Sequence, residues 1–428
     1  MTVYLSSARA ATAEHVGVVP IVAEPFPALS REFGGAMDET EPFVENRQFG
    51  RYLRRVREDR KLSLDAVEEM TSEFPDRVTK SHLSRIENGS AVPSFGKMFA
   101  LSQIYGIPIA SMAERFEIDL LRESRAVDVS NLTAAAALDD LERMELTGAY
   151  QEEVALASAM LDAIETGRLS AKLEEAVALR IFLIDALAHL ERYESAKVQC
   201  EQLLSAKLPT RRQRLQVLLC FVICSYRLKR YTIAEMALVQ AAAELGHSEI
   251  PREMHATVRA VRAVVETALG QLEAAIESYK EAISLYLQIP VPFEVCRAQL
   301  NLGQTLIFAG DAEKALPYIR TALKTAEQSG YDRLRALALS HLAVVHYQRD
   351  ETDAAEAYAV RSNTIARSRE FLTLIFRNCF YLRKIALRRG DAAAAGVNDR
   401  TLRAYLNKID TELPELNEYR AELEGGSR

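Results

Sequence analysis

Seven short turns recur through the last two thirds of this 428-residue chain at a spacing near forty. They are Gly148-Ala149-Tyr150, Glu191-Arg192-Tyr193, Lys229-Arg230-Tyr231, Gly270-Gln271-Leu272, Gly310-Asp311-Ala312, Asp350-Glu351-Thr352 and Gly390-Asp391-Ala392. The residue three places beyond each is Glu153, Ala196, Ala234, Ala275, Ala315, Ala355 and Ala395, in steps of 43, 38, 41, 40, 40 and 40. Between the turns, apolar residues recur at helical spacing. A helix pair cannot bury its apolar face alone, so a fixed period of this length means pairs stacked into a solenoid. The small residue at one register position lets the two helices of a pair approach closely. Residues 134–425 are therefore expected to form about seven helix pairs.

The clearest unit is Leu302-Gly303-x-x-Leu306 followed by Ala315, Ile319 and Ala322; Ala275, Tyr279 and Ala282, then Ala234, Leu238 and Ala241, repeat its second half. This spacing resembles the tetratricopeptide repeat (TPR), with a longer period than the usual one. The resemblance implies a concave groove lined by the first helix of each pair and filled by an extended peptide or protein ligand. Carried onto this sequence, the groove-facing positions are Arg297, Asn301 and Gln304, then His341 and Val344, then Arg377 and Tyr381. Asn301 would fix a peptide backbone through paired donor and acceptor. Arg297 and Arg377 would hold a carboxylate or phosphate.

Upstream, Thr79-Lys80-Ser81-His82-Leu83-Ser84-Arg85-Ile86-Glu87-Asn88-Gly89 reads as one short helix. Thr79 caps it, Leu83 and Ile86 share an apolar side, and Gly89 follows as a stop. Lys80, Ser81, His82, Ser84 and Arg85 are left pointing outward, with side chains suited to base edges and phosphates. Phe49, Leu53 and Val56 mark a helix before it, Ser63 caps a second, Pro93-Ser94 opens a fourth through Met98, Leu101 and Ile104, and Ile107 to Ile118 supplies a fifth. Five short helices ending the third on Ile86-Glu87-Asn88-Gly89 resemble the Cro/repressor (Xre) type of helix-turn-helix domain.

That resemblance implies base contacts from Lys80, Ser81 and Arg85, within a DNA-facing set of Thr79, Lys80, Ser81, His82, Ser84, Arg85 and Asn88. It assigns Arg57 and Glu87 to a structural pair. The stretch between Val67 and Val78, with Ser72-Glu73-Phe74-Pro75-Asp76, is longer than in typical members, so the turn before the recognition helix must be enlarged.

The net charge of −7 argues against a general nucleic-acid coat, but the charge is uneven. Residues 1–46 hold two cations against seven acids, and residues 47–61 hold seven cations against two. The first reads as an acidic, disordered extension. The second places Arg51, Arg54 and Arg55 where DNA phosphates would be met. The domains expected are 1–46, a helix-turn-helix domain over 47–118, a linker over 119–133 and the repeats.

No apolar run is long enough to span a membrane, and the start has no secretory pattern. The five cysteines (Cys200, Cys220, Cys224, Cys296, Cys379) read as core residues of a cytoplasmic protein. No phosphate-binding Gly loop, His-Glu-x-x-His or Cys-x-x-Cys motif is present, so no enzyme activity, cofactor or metal is expected. The fold class expected is all-α, a five-helix helix-turn-helix domain followed by a TPR-like solenoid. The architecture resembles the peptide-pheromone receptor regulators. It implies a homodimeric transcription regulator on an inverted-repeat operator in double-stranded DNA, with a peptide, protein or small-molecule effector in the repeats. The alternative is a TPR adaptor whose helix-turn-helix serves protein docking.

Overall fold

The computed structural model describes residues 47–125, 127–409 and 413–425, and these form two compact units parted between Met112 and Ala113. Among the described residues there are twenty α-helices, one 3-10 turn and no strand. The expected acidic extension, 1–46, lies outside the described residues.

The first unit holds α1 (Arg47–Asp59), α2 (Leu64–Met70), a 3-10 turn (Thr71–Glu73), α3 (Lys80–Glu87), α4 (Phe95–Tyr105) and the start of α5 (Ile109–Ser124). Three helices begin on side-chain caps: Ser63, Thr79 and Ser94 accept from the amides of Ala66, His82 and Lys97 at 3.0, 3.3 and 3.4 Å. Phe49, Leu53, Val67, Leu83, Ile86 and Leu101 fill the core. α1 crosses α3 at Gly50, where a Cβ would sit 2.3 Å from the Ile86 carbonyl oxygen, so only glycine fits. The enlarged turn is pinned: the buried Thr71 hydroxyl bonds both the amide and the carbonyl of Val78 at 3.1 Å, and Phe74 meets Phe99 edge-on at 6.4 Å. α5 runs on to Ser124, well into the stretch expected as a linker, because no helix stop precedes that point.

The second unit stacks seven helix pairs: α6 (Ala134–Thr147) with α7 (Tyr150–Glu165), α8 (Leu173–His189) with α9 (Tyr193–Ser205), α10 (Arg211–Arg227) with α11 (Tyr231–Glu244), α12 (Arg252–Ala268) with α13 (Leu272–Tyr286), α14 (Pro292–Phe308) with α15 (Ala312–Ser329), α16 (Asp332–Gln348) with α17 (Thr352–Ser368), and α18 (Leu372–Arg388) with α19 (Ala392–Tyr405). α20 (Pro414–Gly425) packs on α18. The recurring turns have one backbone cause. Gly148, Glu191, Lys229, Gly270, Gly310, Asp350 and Gly390 all take the left-handed conformation, with φ between 59° and 82°. Each ends a first helix in the manner of a C′ residue. The small-residue register is equally regular: the six alanines from Ala196 to Ala395 are all buried between paired helices. Gly303 has the same logic, since a Cβ there would lie 2.7 Å from Ile319 Cγ1 on α15.

The array curls far enough for its first pair to meet its sixth and seventh. α6 packs on α16, and the Gln151 side-chain amide donates to Glu370 at 2.8 Å. This closure encloses the space described next.

Candidate functional site

On α3, the apolar side and the polar side separate as the spacing requires. Leu83 and Ile86 are fully buried, and Thr79, Lys80, Ser81, Arg85 and Asn88 are exposed. His82 and Ser84, expected to point outward, are half-buried. One helical step of four residues puts His82 beside Ile86 at the edge of the core, and burial, then Lys97 and Arg85, pushes its pKa down. Arg51, Arg54 and Arg55 are exposed on α1.

What holds α3 is the buried pair Arg57–Glu87. The guanidinium donates to both carboxylate oxygens, Nε to Oε1 at 2.7 Å and Nη2 to Oε2 at 2.9 Å, and Nη1 donates to the Leu62 carbonyl at 2.9 Å. A bidentate pair of this kind fixes orientation as well as distance. It sets α3 against α1 and presents Ser81 and Arg85 on a rigid support. Lys80 Nζ lies 2.8 Å from Asp65 Oδ2, and Arg54 Nε lies 3.0 Å from Glu58 Oε1. Both pairs are exposed and worth little, so a phosphate can replace either carboxylate.

In the array, a cavity of about 440 Å³ follows a diagonal path. It is lined at the ends of α8, α10 and α12 (His189, Arg227, Thr267), along the middle of α14, and at the starts of α16 and α18 (Arg333, Thr373). Arg297, Asn301, Gln304 and Arg377 all line it, as the register implied. His341, Val344 and Tyr381 do not. His341 is 1% exposed behind the wall, with burial and then Arg377 holding its pKa well below the ordinary value. Tyr381 packs edge-on against Tyr347 and Phe380.

The two nominated arginines are also engaged from within. Arg297 pairs with Glu294, and Arg377 Nε lies 3.2 Å from Glu415 Oε1. All four are nearly inaccessible, and a charge that deep must be paired. Arg297 and Arg377 thus line the cavity while each is also held in an ion pair within the array.

Sequence reasoning passed over two groups here. Arg333 sits one turn above the nominated register, at the place Phe293 and Thr373 hold in neighbouring pairs, and a second cavity of about 480 Å³ meets the first at Tyr150, His189, Glu191, Arg333 and Thr373. The other is a trio of buried carboxyls, Glu145 on α6, Glu153 on α7 and Asp185 on α8, none more than 1% exposed. Burial lifts Glu145 to about 7, with Arg297 pulling against it. Glu153 and Asp185 stand well above the usual carboxylate range, through burial first and then each other's neighbours in the trio. Asp185 Oδ1 is 3.6 Å from His189 Nε2, whose ring stacks on Tyr150 at 3.8 Å. Glu153 carried a visible signal, as the one acid in a register otherwise held by alanine.

Residues 48–114 match the model of a helix-turn-helix domain, and residues 257–288 and 294–368 match tetratricopeptide-repeat models. The chain thus carries a helix-turn-helix domain followed by tetratricopeptide repeats. No curated protein matches the sequence. Among solved structures, a Rap protein complexed with competence and sporulation factor is 16% identical with a TM-score of 0.50, over 68% of this chain and 86% of that one. PlcR of Bacillus thuringiensis, solved with the peptide PapR7 and DNA, is 16% identical with a TM-score of 0.43, over 68% of this chain and 98% of that one. The Rap conjugation gene regulator of plasmid pLS20, solved with the Phr* peptide, is 12% identical with a TM-score of 0.48, over 86% and 98%. At 16% identity the likeness to the Rap protein is one of fold alone. No helix among the described residues is long and apolar enough to cross a membrane.

Proposed function

We propose that this chain, with its helix-turn-helix domain and its repeat array, is a sequence-specific DNA-binding transcription regulator of the cytoplasm. The observation that carries this reading is the α3 surface. A short capped helix is locked to α1 by Arg57–Glu87 and turns Ser81, Arg85 and Asn88 outward together. A hydroxyl, a guanidinium and an amide on one rigid face are the groups that read base edges in the major groove. Arg51, Arg54, Arg55 and Lys80 supply phosphate contact beside them. One such helix makes too few base contacts for high specificity, so the working form is a homodimer on an inverted repeat. The array binds a peptide, protein or small-molecule effector in its cavity. The effector changes operator affinity to the extent that it favours one conformation of the array.

The test is Ser81→Ala with Arg85→Ala in the full chain, titrated on its operator and on scrambled DNA. Specific affinity is expected to fall by about 10- to 100-fold, since a good base contact is worth about 1–3 kcal/mol, with thermal stability unchanged. Equal loss on both DNAs, or no loss, counts against base reading. A chain with nothing to lose on DNA would be the adaptor instead.

A further inference from the structure

Arg333 occupies an unusual position. Its guanidinium carbon lies 5.5 Å from the Tyr150 ring centroid and 5.2 Å from the Phe371 centroid, at the point where the first pair closes on the sixth and seventh. Contact of a guanidinium with aromatic rings attracts its charge but supplies no hydrogen-bond acceptor of carboxylate or carbonyl strength for its N–H groups. Among the described residues, no carboxylate or carbonyl receives them. The neighbouring acids are committed elsewhere: Asp332 to Arg335 at 2.8 Å and to Arg369 at 3.0 Å, Glu370 at the closure to Gln151, and Glu191, which lines both cavities, is likewise engaged. Burial and then the Arg333 charge itself push His189 well down, so that ring adds no charge of its own at neutral pH. Arg333 is thus a fixed cation with unclaimed donors on the boundary of both cavities.

Taking the array as the effector-binding part of a regulator, we propose that its cavity receives a compact anionic ligand. The carboxylate or phosphate is held in the guanidinium plane of Arg333, and the apolar body lies against Phe293, Leu334, Leu337 and Leu374, which line the same space. A volume of about 440 Å³ suits a small molecule buried on most sides. Charge-assisted hydrogen bonds from a planar fork favour these two anions over neutral or cationic groups of the same shape.

The experiment uses the full chain and four probes of one shape: phenylacetate, phenyl phosphate, phenylacetamide and phenethylammonium, each titrated by calorimetry. At least one anion is expected to bind, with the neutral and cationic probes weaker by about tenfold or more. The preference between phenylacetate and phenyl phosphate identifies the anion class. Arg333→Gln is expected to remove the preference for the anion, and Arg333→Lys to retain part of it as a point charge. Because Arg333 also joins the closure, Leu337→Phe provides a second variant: it fills the apolar end, leaves the guanidinium in place and is expected to exclude all four probes. Equal binding of phenylacetate and phenylacetamide, anion binding unchanged in Arg333→Gln, or no anion binding overturns the ligand class. Anion binding that leaves operator affinity unmoved supports the ligand class and counts against effector control. A recovered operator without anion binding does the reverse.

Discussion

Replacing Glu87 by Ala is expected to cost the first unit about 3–5 kcal/mol, because it leaves the Arg57 guanidinium buried without its carboxylate. Arg57 is 9% exposed and Glu87 5%, and what remains to the guanidinium is the Leu62 carbonyl at 2.9 Å and the exposed Glu58 carboxylate at 3.6 Å, neither of which replaces the bidentate acceptor. The loss should appear in the full chain as faster hydrogen exchange of the amides of α1 and α3, and as lost operator binding, although Glu87 touches no base in this account. The double replacement Arg57→Met with Glu87→Leu removes both charges and keeps an apolar contact between the helices. It should recover most of the stability, since an apolar pair of similar volume often replaces a buried ion pair at little cost. Unchanged exchange in Glu87→Ala would show that the pair does not hold α3.

The second large effect is on pH dependence. Glu145, Glu153 and Asp185 hold folded-state pKa values raised above their ordinary ones, so the folded array keeps protons that the unfolded chain releases. Their contribution to stability is full below the unfolded carboxylate range and falls as pH rises through the raised folded values. Glu145 alone, moving from 4.5 to about 7, contributes about 3 kcal/mol to that fall. Two buried histidines act against it: His189, 3.6 Å from Asp185, and His341 are held well below the ordinary value, so they cost stability as pH falls below about 6.5. Within the array, burial dominates: Arg297 pulls Glu145 and Asp185 down and the Asp185 hydrogen bond lowers Glu145, while Glu142 raises Glu145, and Glu145, Glu153 and Cys220 raise Asp185. The melting temperature of the array should therefore drop by about 3 °C or more between pH 6.5 and pH 8, above the range in which the histidines act. Glu145→Gln, Glu153→Gln and Asp185→Asn together should flatten the slope. A wild-type melting temperature that is level or rising across that interval would show that the trio is ionised in the folded state.

Much of the fold was legible in the sequence, and the physical reason is periodicity. The turn residues mark left-handed backbone positions, which are local demands on single residues, and the alanines mark helix contacts that repeat at a fixed spacing. The Arg57–Glu87 pair was legible because a family pattern carries it. The cavity was only partly so. Register placed Arg297, Asn301, Gln304 and Arg377 on its wall, but it could not say which arginines were already paired. Glu415 reaches Arg377 from α20, outside the repeat, and Glu145, Glu153 and Asp185 come together from three helices. Arg333 gains its meaning only from the closure of the array, which brings Tyr150 and Phe371 to one guanidinium across more than two hundred residues of chain. Contacts of that kind leave no mark on local spacing. His82 was misread for a smaller reason: on an eight-residue helix, one step beside Ile86 is already the edge of the core.

The most direct test of the central claim is selection of bound sequences from genomic DNA by the purified full chain, followed by titration of the recovered site across a salt series. The account predicts an inverted repeat that is bound at least 10³-fold more tightly than random DNA, with a preference that survives as salt weakens both. Binding without sequence preference that disappears at modest salt would mean that α1 meets phosphates and α3 reads nothing, and would contradict it.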